Sequence, residues 1–255
     1  RPRMKSIEVK VLNPEAVDEA VKMMACAARL TQHGEKVKSL AEFEALYDKP
    51  VSGKLVQNFC SLPHPTIQKF GLINVVVIGA SRRFLAQITR HQNEVKFMSA
   101  SLQYSDYSGA ADFVIPYDIT YNEAAQNAYV DSCQTSLARY EEMICNGVDH
   151  DAAAYTLPQG LRNVLIMSAT PYQWKHMIGQ RVCRRNTDET RFVMLKIWAQ
   201  LYDLSPDLFA PETTGPFCQR GVCQEGRMCC GHLMHVLDDP HKLLASDFPK
   251  IVKEF

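Results

Sequence analysis

The chain has 255 residues, 46% of them hydrophobic, with 28 basic and 28 acidic side chains, so it holds enough apolar material for a substantial core and no net formal charge. A neutral chain lacks the global field that draws a protein to nucleic acid or to an anionic membrane, so neither is expected as a partner and anion recognition must be local. The longest apolar run, Leu72 to Ala80, is about half of a bilayer crossing, and the first residues show no signal-peptide hydrophobic stretch, which points to a cytoplasmic protein.

Asn13-Pro14, a cap followed by proline, precedes Val17, Ala20, Val21, Met24 and Ala28 at helical spacing and predicts a helix over about 14–31. A weaker helical stretch surrounds Leu40 to Tyr47. Phe70 to Ile78, rich in β-branched residues, reads as a strand buried on both faces, and Phe84 to His91 reads as helical. Aromatic and small polar residues alternate from Ser99 to Pro116, which predicts a loop with short extended pieces. Asn122 caps a long helix that Gly147 ends, with Ala125, Tyr129, Cys133, Leu137, Tyr140 and Ile144 in phase. Further helices are predicted over about 159–168, from Thr170-Pro171 toward Cys183, and from Thr187 through Phe192, Leu195, Trp198 and Leu201. The result is an α+β chain, helix-rich around a small mixed or antiparallel sheet.

Nine cysteines is an odd number. Cys26, Cys60, Cys133, Cys145 and Cys183 stand singly in regular segments, as reduced and mostly buried thiols do. Cys218, Cys223, Cys229 and Cys230 cluster with His232 in the loop-rich tail. Cys218, Cys223, Cys229 and His232 are candidate ligands of a structural zinc, but no pair has a two-residue gap, so free thiols are the competing reading.

The stretch Gln87-Ile88-Thr89-Arg90-His91-Gln92 places two cations and two amides in six residues next to a buried strand. Such groups need anionic or hydrogen-bonding partners, from a phosphate-bearing ligand or from neighbouring backbone. Ser101-Leu102-Gln103-Tyr104-Ser105 follows. Together these segments resemble the signature of flavin-dependent thymidylate synthases, an Arg-His-Arg triplet, seven intervening residues and a serine, then Arg-Tyr-Ser, with a glutamine three residues before the triplet. Gln87, Arg90, His91, Ser101, Tyr104 and Ser105 match. Gln92 and Gln103 replace arginines, and the spacing is one residue longer. His64-Pro65-Thr66, Gly79-Ala80-Ser81-Arg82, Leu157-Pro158, Arg181 and Glu189 extend the resemblance over about residues 14–205. Ala154 stands where the family commonly has an arginine, and His176 where it has an asparagine.

The resemblance implies a homotetrameric flavin-dependent thymidylate synthase fold, with residues 1–205 as the flavin- and nucleotide-binding catalytic domain and 206–255 as a Cys-rich extension packed on it. It implies conversion of dUMP to dTMP, with FAD as cofactor, methylenetetrahydrofolate as one-carbon donor and NADPH as reductant. Carried over by position, Arg90, His91, Gln92, His64 and His176 serve the flavin. Gln87, Arg90, Ser101, Gln103 and Arg181 serve the uracil nucleotide, with Arg181 and Ser101 closest to the chemistry. Arg181 alternatively reads as a helix-surface cation paired with Glu189, and His64 as a loop histidine. A UMP/dUMP methylase or dUMP hydroxymethylase would share the fold, and a non-catalytic metal-binding protein built around the tail is the remaining alternative.

Overall fold

The computed structural model describes residues 7–232 and 237–249. Four strands, β1 (Glu8–Val11), β2 (Ile73–Ser81), β3 (Val95–Ser99) and β4 (Arg162–Ala169), form one antiparallel sheet in the order β1-β2-β4-β3. Around it, in chain order, run α1 (Glu15–His33), α2 (Leu40–Tyr47), α3 (Gly53–Ser61), α4 (Arg82–Ile88), α5 (Tyr117–Thr120) and α6 (Glu123–Cys145). After these come α7 (His150–Ala153), α8 (Pro171–Arg181), α9 (Asp188–Leu204), α10 (Pro211–Thr214) and α11 (Pro240–Asp247). The helix-rich α+β class expected from the sequence is the one observed. No described helix is long and apolar enough to cross a membrane.

The capping residues act largely as their chemistry dictates. Asn122, Thr170 and Thr187 accept backbone N–H groups of Ala125, Gln173 and Thr190 and so start α6, α8 and α9. Asn13 is different: its side chain accepts from Asn74 N at 2.7 Å and donates to Leu72 O at 2.9 Å, so it fastens the start of α1 to β2 instead of capping the helix.

Two expectations are corrected. β2 buries Ile73, Val75 and Val77 completely, yet Ile78 on its other face is 43% exposed, so one face of the sheet is only partly covered. The helix expected over 159–168 is instead β4. Its Leu161, Asn163, Leu165, Met167 and Ala169 are buried while Val164 and Ile166 are not, a period of two. Leu and Met tolerate either state, and hydrogen-bonded partners on both sides, β2 and β3, decide for the strand. The short β1 and β3 pair only on one side each and left no sequence signal of their own.

The core lies between the sheet and α1, α8 and α9. Trp174 on α8 and Trp198 on α9 are fully buried, and their indole N–H groups donate to Ile73 O at 3.0 Å and Phe209 O at 2.9 Å. Each such ring removes enough apolar area from water to contribute about 4–6 kcal/mol of transfer free energy, an upper bound. Beyond α9 the chain folds back. Leu208, Phe209 and Phe248 enter the same core, and Asp247 at the end of α11 bonds Arg191 at 2.6 Å and Arg184 at 2.8 Å. Gly179 on α8 has no room for a side chain, since a Cβ there would lie 2.6 Å from the ring of Phe217.

Of the five cysteines expected in regular structure, Cys26, Cys60 and Cys133 are buried, whereas Cys145 is exposed and Cys183 half-buried; all nine are free thiols.

Candidate active site

Three helix ends meet at the site. Ser81 caps α4, which carries Gln87 in its last turn, and the next turn returns His91 so that its N–H donates to Ile88 O. α8 delivers His176 and, at its last residue, Arg181. The start of α9 brings Thr187 and Thr190, whose hydroxyls sit 3.3 and 2.5 Å from Gln87 Oε1.

Arg181 is the centre of this junction. Its Nη2 donates to Gln87 O at 2.8 Å, its Nη1 to Asn186 Oδ1 at 3.2 Å and its Nε to His91 Nε2 at 3.0 Å. All of these acceptors are uncharged. Burial, and the charge of Arg90 beside it, push the Arg181 pKa below its ordinary value. A half-buried guanidinium with neutral partners and a second cation nearby is in a position where an anionic or electron-rich ligand offsets a desolvation cost of several kcal/mol. The helix-surface reading of Arg181 does not hold, because Glu189 is buried elsewhere. It accepts from Ser81 N at 2.8 Å and from the Ser81 hydroxyl, and burial raises its pKa.

His91 is 8% exposed and accepts from Arg181, so its neutral form is the one the site stabilises. Burial, then Arg181, then His176 lower its pKa from 6.5 to about 4. The His176 ring meets His91 edge-on at 5.9 Å, and Phe217 from the tail lies 5.5 Å beyond it. Burial lowers the His176 pKa as well.

These shifts have a sign. The unfolded chain takes up protons near pH 6.5 and the folded one only near pH 4, so the contribution of His91 is complete above about pH 6.5 and is lost as pH falls through about 4. His176 acts in the same direction. The urea midpoint of the wild type should therefore fall between pH 6.5 and 4, and His91→Gln should flatten that slope; an unchanged slope would count against a neutral, buried His91.

Other expected site residues lie apart from this cluster. Ser101 Oγ accepts from Gln103 N at 3.1 Å and Tyr104 N at 3.4 Å, and Gln103 O meets His150 Nε2 at 2.5 Å, so both are engaged with their own turn and with α7. His64 and Arg90 are exposed, His64 at the start of the 3-10 turn Pro65–Lys69. Of the arginines available to compensate for Gln103 and Ala154, Arg184 is held by Asp247, Arg185 by Met228 O, and Arg162 by Gly79 O. Arg83 bonds only the neutral Gln159 side chain and lines a cleft of about 640 Å³ with Ser81, Tyr117, Tyr129, Thr187 and Glu189. Ala154 packs in a small cluster under Tyr140.

Gln92, Lys69, Glu94, Tyr172 and His176 line a cleft of about 460 Å³. Glu94 has a φ of 54°, a strained value for a non-glycine residue, and is held by Lys69 at 3.1 Å. An adjoining cleft of about 530 Å³ shares Tyr172 and His176 and reaches Gln68, Lys175 and Thr213. Lys175 is buried, its pKa is lowered by burial, and its hydrogen bond runs to the Thr213 hydroxyl at 3.4 Å. Gln68 Oε1 is buried with no hydrogen-bond partner among the described residues. Two ammonium groups, an aromatic edge and an orphaned acceptor suit a cofactor with both phosphate and ring N–H groups, so these residues fit a flavin dinucleotide. Gln68, Tyr172, Lys175 and Asn186 were not singled out from the sequence.

The metal expectation is corrected. Among the described residues no three His, Cys, Asp or Glu side chains are grouped to hold a metal ion. His232 Nδ1 is engaged with Cys230 O at 2.7 Å.

The site is thus a partly desolvated arginine bonded to a neutral histidine, with Asn186 and Thr187 of the same cluster lining one cleft and His176 lining another. The sequence matches the profile of the thymidylate synthase complementing protein family over residues 15–207, and the chain belongs to that family. It is 24% identical over 214 residues to the flavin-dependent thymidylate synthase of Geobacter sulfurreducens, covering 84% of this chain and 90% of that one. It is 27% identical over 206 residues to the Pyrococcus furiosus enzyme of the same name, covering 78% and 82%. The Clostridium tetani enzyme is 24% identical over 247 residues, covering 90% and 96%. In fold, the chain is similar to a UMP/dUMP methylase from Streptomyces cacaoi bound with 5-Br dUMP, with a TM-score of 0.62 at 15% identity over 81% of this chain and 95% of that one.

Proposed function

We propose that the protein binds FAD and methylates carbon 5 of dUMP to give dTMP, with methylenetetrahydrofolate as one-carbon donor and NADPH as reductant. The observation that carries this reading is the Arg181 junction, a guanidinium whose bonded partners are all neutral and whose neighbours Asn186, Thr187 and His176 line clefts. A fixed cation at the pyrimidine's carbonyl edge favours the enolate-like ring that forms when C5 attacks an electrophile. His91, kept neutral, fixes the guanidinium as an acceptor without competing for the ligand's negative charge. Lys69, Lys175, Gln92, Tyr172 and His176 would hold FAD, with Arg90 at its edge, and when bound it supplies hydride chemistry. No cysteine nucleophile is required.

Assembly as a homotetramer accounts for two further features. In one protomer Ser101 and Gln103 bond to their own turn and to His150, so they reach a nucleotide held by Arg181 from a neighbouring copy. The partly covered face of the sheet presents Ile78, Val164, Ile166 and Met98, between 43% and 73% exposed, as an apolar surface for such a copy.

Gln92, Gln103 and the buried Ala154 favour keeping one second reading, a UMP/dUMP methylase or dUMP hydroxymethylase with the same site. The visible spectrum of the purified protein, titrated with dUMP and then UMP, tests both. Flavin bands that shift at lower dUMP than UMP concentration are the expected result. A stronger response to UMP selects the second reading, and a protein that takes up no FAD overturns both.

A further inference from the structure

Five of the nine cysteines line one cavity of about 70 Å³ where the segment after α10 folds over the end of α8: Cys183, Cys218, Cys223, Cys229 and Cys230. They come from two pieces of chain, Cys183 after α8 and the stretch from Cys218 to Cys230, and none takes part in the chemistry derived above. Within the group, Cys223 and Cys229 line the cavity close enough for each to influence the other's charge. Both are partly accessible to solvent.

The two thiols are not equivalent. Gly231, whose positive φ of 75° turns its backbone back over the preceding residues, donates its N–H to Cys229 Sγ at 3.4 Å. Arg185, anchored by its Nε on Met228 O, adds a positive charge beside the same sulfur. These groups favour the thiolate of Cys229, with the Gly231 N–H the larger influence and the Cys223 contact the next, and hold its pKa below the ordinary value. Cys223 sits on the other side, above the ordinary value. A Glu225 N–H bonded to it pulls downward, and the contact with Cys229, burial and the neighbouring thiols together outweigh that pull. The Gly231 N–H and Arg185 therefore set up the Cys229 sulfur to attack, and the Cys223 thiol lines the same cavity.

We propose that Cys229 and Cys223 are a reactive dithiol that reduces hydrogen peroxide and closes to a disulfide. In the first step the Cys229 sulfur forms an S–O bond as the O–O bond breaks, and the departing hydroxide takes a proton to become water. In the second, Cys223 Sγ attacks Cys229 Sγ, the S–O bond breaks, and hydroxide leaves with the Cys223 proton as a second water. Two thiols are oxidised by two electrons and one peroxide is reduced; a small dithiol such as dithiothreitol returns the pair by exchange.

The test uses the full chain, reduced, desalted, treated with equimolar hydrogen peroxide, alkylated and digested with trypsin. Cleavage after Arg220, Arg227 and Lys242 puts Cys223 in one peptide and Cys229 with Cys230 in another. The expected result is loss of two thiols per chain and a linked pair of these peptides that dithiothreitol separates. The link should persist in Cys230→Ser and vanish in Cys229→Ser, while Cys223→Ser should stop at a dimedone-reactive sulfenic acid. A link that survives Cys229→Ser overturns the proposal. So does a protein that carries stoichiometric zinc and whose five thiols resist peroxide until the metal is removed.

Discussion

Arg181→Ala should lower the rate of dTMP formation at saturating substrates by about 10²-fold or more, the usual scale for removing one preorganised group that stabilises developing negative charge. Arg181→Lys should fall between, because an ammonium restores the charge but not the fork that now spans His91, Asn186 and Gln87. Removing the guanidinium also leaves Gln87 O and His91 Nε2 without that donor, at a cost of about 1–3 kcal/mol each if water does not replace it. Rates are therefore compared well below the unfolding temperature. A second readout separates electrostatics from packing: the Arg181 charge is one cause of the low His91 pKa, so in Arg181→Ala the His91-linked loss of stability on acidification below pH 6.5 should shrink and end at a higher pH. A variant that keeps its rate within threefold would remove Arg181 from the chemistry.

Asp247→Ala should have the largest effect on stability. The Asp247 side chain is 9% exposed and that of Arg191 7%, so deleting the carboxylate strands a buried guanidinium and leaves Arg184 without its partner. Removing one member of a buried pair costs about 3–5 kcal/mol. Arg191 Nε would retain its bond to Val182 O, and its face would still lie against Phe248, but neither neutralises it. Urea denaturation measures the loss. Limited proteolysis should show α11 becoming cleavable before the rest of the chain, because this bridge is its buried polar tie to α9 and the other, His241 to Asp203, is exposed. A change under about 1 kcal/mol would mean that the arginines find other partners at no cost.

Helices with caps were legible from sequence because a cap is a local device: Asn122, Thr170 and Thr187 each announce a start, and α6, α8 and α9 begin where they do. β4 was not, because the choice between strand and helix for Arg162–Ala169 is made by partners far away in sequence, β2 and β3. The same division runs through the site. Gln87, His91 and Arg181 were named from spacing and resemblance, and the fold brings them into one hydrogen-bonded junction. His176 was named too, and it joins through His91. Gln68 and Lys175 were missed because their meaning is burial, which a lone glutamine in a 3-10 turn or a lysine within a helix does not announce. Ser101 and Gln103 belong to the signature by position, yet their bonds within one chain are local.

The apolar face shared by β2, β4 and β3 bears on how the protein is handled in the laboratory. Ile78 pairs with Val164 and Ile166 with Met98 across neighbouring strands, so these side chains form a continuous strip instead of isolated spots. If copies of the chain cover that strip and complete one another's sites, dilution uncovers it and dismantles the sites in one event. Specific activity then becomes a function of protein concentration, with a lag on dilution set by how slowly the strip is exposed.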